Sequence, residues 1–582
     1  MKGIIIMAFK NRTKNYPLYR TVEFDNLRTM TEDAAKKYGD KYLFSYKKKP
    51  ADKEILHYTF IEGRDYIRDL ATELIALGLR DKKVAIIGES APEWVFSYHA
   101  LMSIGAVTVP VDKELPPEDM ASILNTAECA AVVFSSSAER KIGELRSLVP
   151  TAELYIEFGG GCAEYAKKIE ELRAAGAEKY SGGDNSYYDY EIDVDRLASI
   201  VFTSGTTGKG KGVMLSTRNI CSDMTQGMYN FKITDRTVCV LPPHHTFCST
   251  VMFVGHYALG CEMYISSGLR YILSELNEVK PTHLILVPLF VETFYKRIMT
   301  AAEKSGKLKM LKTLIAISNG LRKIGIDLRK QFFTKTVLSN FGGELGMIIS
   351  GGAALNPAII KFFEDIGVTI LNGYGISECA PLISCNRNEY RRDGSVGMPI
   401  IGGHVRILNP DENGEGEICY RGPNVMLGYY KNEEATKEVF CEDGYFRTGD
   451  YGKLLEVDGE QWIYITGRLK NLIILSNGKN VYPEEIETDI QGVYGVSEVV
   501  VYAGESREAG KEMIVAEIFP DFDALKMHGI EDAQKYFEEE IDKINKKNVV
   551  YKNVAMVKIR NEEFPKNTSK KITRFKIDKS VD

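Results

Sequence analysis

The chain has 582 residues, with 74 Lys and Arg against 80 Asp and Glu for a formal charge of −6, and 44% of it is hydrophobic. That length exceeds one small domain and supports a large core, while the acidic balance excludes a general nucleic-acid binder, which needs a domain-wide basic excess. Its ten cysteines stand singly, with no CxxC pair and no zinc-type cysteine and histidine spacing, a usage that fits the reduced thiols of a cytoplasmic protein.

The apolar run before Lys10 is too short for a signal segment, and Met7 offers a second start. No stretch reaches the roughly 20 apolar residues that cross a bilayer. A soluble protein is expected, with peripheral membrane contact left open. Val84–Ile87 reads as a strand, followed by a helix whose Ser90 and Glu93 are spaced as a capping box around Pro92, and then by a strand at Ala106–Val111. A helix at Glu118–Asn125 leads to the strand AAVVFSS. Repeated strand, helix, strand units predict a parallel, doubly wound sheet, on which ligands gather beyond the carboxyl ends of the strands. The polar, glycine-bearing text at Ser181–Tyr190 predicts a surface loop.

Phe202 to Ser216 reads FTSGTTGKGKGVMLS and follows the buried strand LASIVFT. Gly205, Gly208, Gly210 and Gly212 permit close backbone approach, Thr203, Ser204, Thr206 and Thr207 add donors, and Lys209 and Lys211 add charge. Such a composition grips phosphate. Gly205, Gly210 and Lys211 match the start of a kinase-type P-loop, but that loop needs Ser or Thr after the lysine and then a helix. Gly212 and an apolar, strand-like run follow instead, so the loop belongs to another nucleotide chemistry.

A second alternating block extends to about residue 400, with HLILVP and MIISGG as strands. Within it, LPPHHTF pairs His244 with His245 but supplies no third metal ligand, and Val287–Phe290 is either a buried strand or pocket lining. The stretch LRKIGIDLRKQFFTKTVLSNFGGEL is basic, the usual mark of a solvated helical face. Residues 401–465 carry short alternating runs that suggest a small β-barrel or meander. Beyond Gly467 the pattern turns to α+β: strands SEVVVYAG and MIVAEIF, a helix over Glu531–Lys547 and the strand VAMVKIR. The expected domains are 1–467, with α/β subdomains over about 25–400 and a β subdomain over about 401–467, and 468–582. The lysine-rich stretch 543–579 would suit the phosphates of a ligand.

Five strings in order, TSGTTGKGKG, NGYGISE, YFRTGD, GRLKN and FPKNTSKKITR, resemble the signatures of the adenylate-forming superfamily. That superfamily includes acyl-CoA synthetases, luciferases and peptide-synthetase adenylation domains. The likeness runs from about residue 25 to 575, and SGGAALNPAIIKFFEDIGVTILNGYGISE, with the basic stretch LRKIGIDLRKQFFTKTVLSNFGGEL before it, looks like the long-chain fatty acyl-CoA synthetase branch. It implies an α/β fold: a large N-terminal domain of doubly wound sheets with a small β-barrel, and a small mobile α+β C-terminal domain. It further implies that Thr203, Ser204, Gly205, Thr206, Thr207, Gly208 and Lys211 hold pyrophosphate. Tyr374 and Gly375 would offer an aromatic face to adenine, Ser377 a hydroxyl to phosphate and Glu378 a carboxylate to Mg2+, as a hard cation prefers. Asp450 would accept from both ribose hydroxyls, Arg468 would reach ribose and phosphate, and Lys470 would be the pivot between domains. Lys571 would be the catalytic lysine, Gly478 would border the thiol channel, and His245 would line the junction of acyl group and thiol. Gly210 stands where the family generally has proline, Asn471 where it has aspartate and Lys570 where it has glycine.

The implied reaction joins ATP and a carboxylic acid, expected to be a medium- or long-chain fatty acid, into acyl-AMP and then passes the acyl group to coenzyme A. The alternatives are an acyl-AMP ligase that loads a carrier protein and a non-catalytic adenylate-binding sensor.

Overall fold

The computed structural model describes residues 18–19, 21–161, 163–203, 210–475, 479–504, 513–566 and 572–581. Its largest sheet has eight strands. Lys83–Ile87 lies between Val107–Val111 and Ala131–Ser135, all parallel, because each crossover returns the chain to the same end of the sheet before the next strand begins. Both neighbours are buried along their whole length, which is why they read as unbroken apolar runs and not as alternations. Leu154–Phe158 and Lys167–Lys168 extend one side. On the other, Leu197–Thr203 joins Val107–Val111 in parallel and turns back antiparallel as Lys211–Ser216, against which Gly428–Tyr429 pairs at the edge. The phosphate-type loop thus leaves the carboxyl end of a strand set in a parallel sheet, where such sheets hold ligands.

The helix after Lys83–Ile87 spans Pro92–Ser103, with the proline in its first turn as expected. The expected capping box is absent: Ala91 is the N-cap, and the Ser90 hydroxyl donates instead to the Leu241 carbonyl at 3.0 Å. The Ser181–Tyr190 stretch is not simply a surface loop either. It contains the short helix Ser186–Asp189, buries Tyr187 to 1% exposure, and is tied down by Arg28, which donates to the Tyr190 carbonyl at 2.7 Å.

A second sheet runs His283–Leu286, Met347–Ser350 and Thr369–Gly375 in parallel, then Leu382–Cys385 and Met398–Pro399 antiparallel. Val287–Phe290 is not a strand. Val287 caps the helix Pro288–Lys304, and a proline at the first helical position, already visible in the sequence, is the reason. A smaller sheet orders Arg236–Cys239, Glu262–Ile265, Tyr42–Tyr46 and Leu56–Thr59.

Of the barrel and the meander that the next short strands allowed, they form the meander: His404–Leu408, Gly416–Arg421, Phe446–Val457 and Glu460–Arg468 lie in chain order, all antiparallel. Beyond them a three-stranded sheet, Val496–Gly504, Met513–Pro520 and Met556–Ile559, packs against the helices Pro483–Gln491 and Ala533–Asn545 around a core of its own that includes Ile486, Val501 and Phe537. Two polar contacts tie this C-terminal part to helix Pro288–Lys304: Lys296 Nζ donates to the Val496 carbonyl at 3.2 Å, and His528 Nε2 meets Glu303 Oε1 at 2.8 Å.

Candidate active site

A cleft of about 4130 Å³ runs between the large sheets, the meander and the C-terminal sheet. Thr203, Gly210, His245, Tyr374, Gly375, Ser377, Glu378, Asp450, Arg468 and Lys470 all border it, drawn from segments far apart in the chain. Ser204, Gly205, Thr206, Thr207, Gly208, Gly478 and Lys571 lie outside the described residues.

Strand Thr369–Gly375 delivers Tyr374 to the cleft. A Cβ on Gly375 would stand 2.1 Å from the Pro381 carbonyl, so only glycine lets the returning strand Leu382–Cys385 approach so closely. One 3-10 turn, Ser377–Cys379, then presents Ser377 and Glu378. The same close approach explains Gly210, whose Cβ would come 2.8 Å from the Thr203 carbonyl across the base of the loop.

Asp450 and Arg468 sit directly opposite each other on adjacent strands of the meander. Arg468 Nε lies 3.2 Å from Asp450 Oδ1, and the Tyr374 hydroxyl donates to Asp450 Oδ2 at 2.8 Å. Burial pushes the Asp450 carboxyl above its ordinary pKa, while the Arg468 charge pulls it back down. Burial also raises the Tyr374 phenol well above its usual value, which keeps it a donor.

Glu378 Oε1 accepts from the Tyr429 hydroxyl at 2.8 Å, and the Lys211 ammonium lies 4.8 Å from the centre of the Tyr429 ring. Lys211 therefore reaches this group from the strand next to the edge of the first sheet, through Tyr429, and is not itself among the lining side chains. Pairing of Gly428–Tyr429 with Val213 and Met214 sets that arrangement.

Lys470 follows Arg468 in the turn Leu469–Asn471. Burial lowers its pKa, as do the charges of Arg468 and Arg574, against the pull of Asp450 and Glu484. Asn471, in the place of the family's aspartate, still finds a partner: its amide donates to Glu484 Oε1 at 2.5 Å. His245 is half-buried beside His244, their ring centres 4.2 Å apart, and His244 Nε2 lies 3.7 Å from Asp112 Oδ2. Burial lowers the pKa of His244.

Sequence reasoning assigned no role to Tyr429, Glu484, Glu487 or Arg574, all of which the fold brings to the site. Arg574 pairs with Glu487 and donates to the Val501 carbonyl at 3.1 Å, while the Val501 amide donates to Glu487 at 2.6 Å. Burial raises the Glu487 carboxyl to about 6. Lys566 and Ile572, which flank the stretch that holds Lys571, form an antiparallel bridge, and both line the cleft.

The fold also gathers His256, Cys261 and His283 in the core, a group that sequence spacing does not reveal. Every imidazole nitrogen there is already engaged: the two Nε2 atoms face each other at 2.8 Å, His256 Nδ1 meets the Val251 carbonyl, and His283 Nδ1 meets Thr234. The pair is a satisfied hydrogen-bonded unit of the core.

The chain is 29% identical to a chloroplastic long-chain-fatty-acid acyl-carrier-protein ligase of Arabidopsis thaliana, over 85% of this chain and 77% of the relative. It is 28% identical to long-chain-fatty-acid CoA ligase 6 of Mus musculus, over 75% of this chain and 65% of the relative. Among solved structures, the adenylation domain of a carboxylate reductase from Mycobacterium chelonae superposes with a TM-score of 0.76 at 20% identity, covering 95% of this chain and 89% of the other. An anthranilate CoA ligase in complex with anthranoyl-AMP does so with a TM-score of 0.74 at 19% identity, covering 97% of each. These structures share its fold. The model of the AMP-binding enzyme family matches residues 31–430, and the chain belongs to that family.

Proposed function

We propose that this protein is an AMP-forming acid-thiol ligase that activates a medium- or long-chain fatty acid with ATP and transfers the acyl group to coenzyme A. The observation that carries this reading is the convergence of Tyr374, Glu378, Asp450, Arg468 and both flanks of the Lys571 stretch on one cleft. Relatives named as long-chain fatty-acid ligases support the substrate class.

A carboxylate is a poor acyl donor because oxide would have to leave; esterified to AMP, it gains a stable leaving group. Asp450, fixed by Arg468 and Tyr374, offers carboxylate oxygens to the ribose hydroxyls. The Thr203–Lys211 loop holds the polyphosphate that departs. Lys571 neutralises the charge that builds as the carboxylate attacks the α-phosphate. Glu378 fits a Mg2+ ion, since Tyr429 engages only one of its two oxygens and a hard cation takes few protein ligands beside substrate phosphates. Bound there, Mg2+ would neutralise polyphosphate charge. The residues otherwise supply positioning and electrostatics.

The domain boundary falls at Gly467 and Arg468, with Lys470 as pivot. Turning about it withdraws Lys571 and brings the Gly478 region to the thiol, while His245 borders the junction. The Arabidopsis relative raises a carrier-protein thiol as the second reading. AMP release measured over a graded set of fatty, aromatic and amino acids, with coenzyme A or an acyl-carrier protein as acceptor, tests both. Fastest turnover with a fatty acid and coenzyme A is expected. Turnover only with the carrier protein selects the second reading, and no AMP with any acid leaves an adenylate-binding sensor.

A further inference from the structure

The helix Leu308–Arg322 and the turn after it carry an apolar face that the fold leaves uncovered. Leu311 and Ser318 point inward and are buried. On the opposite arc, Met310, Thr313, Ile317 and Gly320 recur at helical spacing, and all are exposed. Met310 is 49% exposed, Ile317 48%, and beyond the helix Ile324 is 71% and Ile326 45%. A row of large exposed aliphatics is unusual on a surface that meets only water, and marks an interaction site.

The charges around this row have one sign. Residues 304–330 contain eight Lys and Arg and one acid, Asp327, in a chain whose net charge is −6. Asp327 is taken by Arg329 at 2.6 Å. Lys304, Lys307, Lys309, Lys312, Arg322, Lys323 and Lys330 are all exposed, and Lys309 and Lys312 stand beside the apolar row. An apolar stripe flanked by cations is the pattern of a helix that lies in the surface of an anionic bilayer, aliphatics among the acyl chains and ammonium groups at the headgroups.

We infer that the Leu308–Ile326 surface docks the protein on anionic lipid membranes. The helix follows by a three-residue turn on Pro288–Lys304, whose first turn lines the cleft. Docking would therefore hold the cleft near a lipid phase in which long-chain acids concentrate. That last link rests on the proposed substrate, whereas the docking itself does not.

Flotation of the full-length protein with vesicles tests it, comparing phosphatidylcholine alone with a mixture containing phosphatidylglycerol. Binding to the anionic vesicles is expected, weakening as salt rises. Lys309→Glu and Lys312→Glu should each lower the partition coefficient roughly fivefold or more, from about 1 kcal/mol per surface lysine. Ile317→Glu and Ile324→Glu should abolish binding while leaving AMP release from a soluble short-chain acid unchanged. Failure to float with anionic vesicles, or flotation unaffected by all four substitutions, overturns the inference. Loss of binding to an acidic carrier protein in these variants, with no vesicle binding in the parent, also overturns it and assigns the face to a protein partner.

Discussion

The Tyr374 hydroxyl donates to Asp450 across 2.8 Å, joining the end of a strand in the second sheet to the second-last strand of the meander. The contact fixes one carboxylate oxygen, and Arg468 fixes the other. Asp450→Ala should leave the chain folded and raise the KM for ATP by roughly 10- to 100-fold, since charge-assisted hydrogen bonds to a ligand are worth about 1.5–3 kcal/mol. Tyr374→Phe removes only the buried hydroxyl and should raise KM less than tenfold. Steady-state kinetics of both variants check the ranking, which reverses if Tyr374 and not Asp450 holds the ribose.

Glu378 and Tyr429 form the second link. Glu378→Gln keeps the shape and one acceptor oxygen for the Tyr429 hydroxyl but removes the charge assigned to Mg2+. Adenylation should fall about 100-fold, the scale of losing one electrostatic stabiliser, with a higher Mg2+ concentration for half-maximal rate. Tyr429→Phe frees Glu378 Oε1 and should change the Mg2+ requirement with a much smaller loss of rate. A Mg2+ titration of pyrophosphate exchange separates the two.

Gly375→Ala would set a Cβ against the Pro381 carbonyl at 2.1 Å. Overpacking on backbone typically costs about 1–3 kcal/mol, so thermal denaturation should show a lower Tm. Equilibrium dialysis of labelled ATP should show weakened binding, because Ser377 and Glu378 follow directly.

Glu487 supplies a pH signature. Its buried carboxyl is raised from 4.5 to about 6, so its stabilising contribution is fully present below pH 4.5 and is lost as pH rises through 6. That difference corresponds to about 2 kcal/mol. Denaturant titrations of wild type and Glu487→Gln at pH 4.5 and pH 7 should shift in the variant's favour by this amount as pH rises. Parallel curves at both values would remove the burial argument.

The strands were legible where one physical demand ruled: buried parallel strands as apolar runs, the meander as alternations between glycines. Asp450 and Arg468 were legible as strings, and their pairing across strands Phe446–Val457 and Glu460–Arg468 supplies what strings cannot. Tyr429 was not legible, because its strand has two residues and acquires its place only by pairing beside Lys211. Glu487 reads as one of several acids in a solvated helix until Arg574 and the Val501 amide surround it. The Ser90 cap failed because the helix starts one residue later, with Ala91 as its N-cap, and the Ser90 hydroxyl turns to donate to a distant carbonyl.

The central claim is that Lys571 joins acid to nucleotide and leaves before the thiol arrives. Rapid-quench measurement of the two half-reactions in Lys571→Ala addresses it most directly. Pyrophosphate exchange should fall about 100- to 1000-fold, while thioester formation from supplied acyl-AMP should survive. Exchange at the wild-type rate would contradict the account.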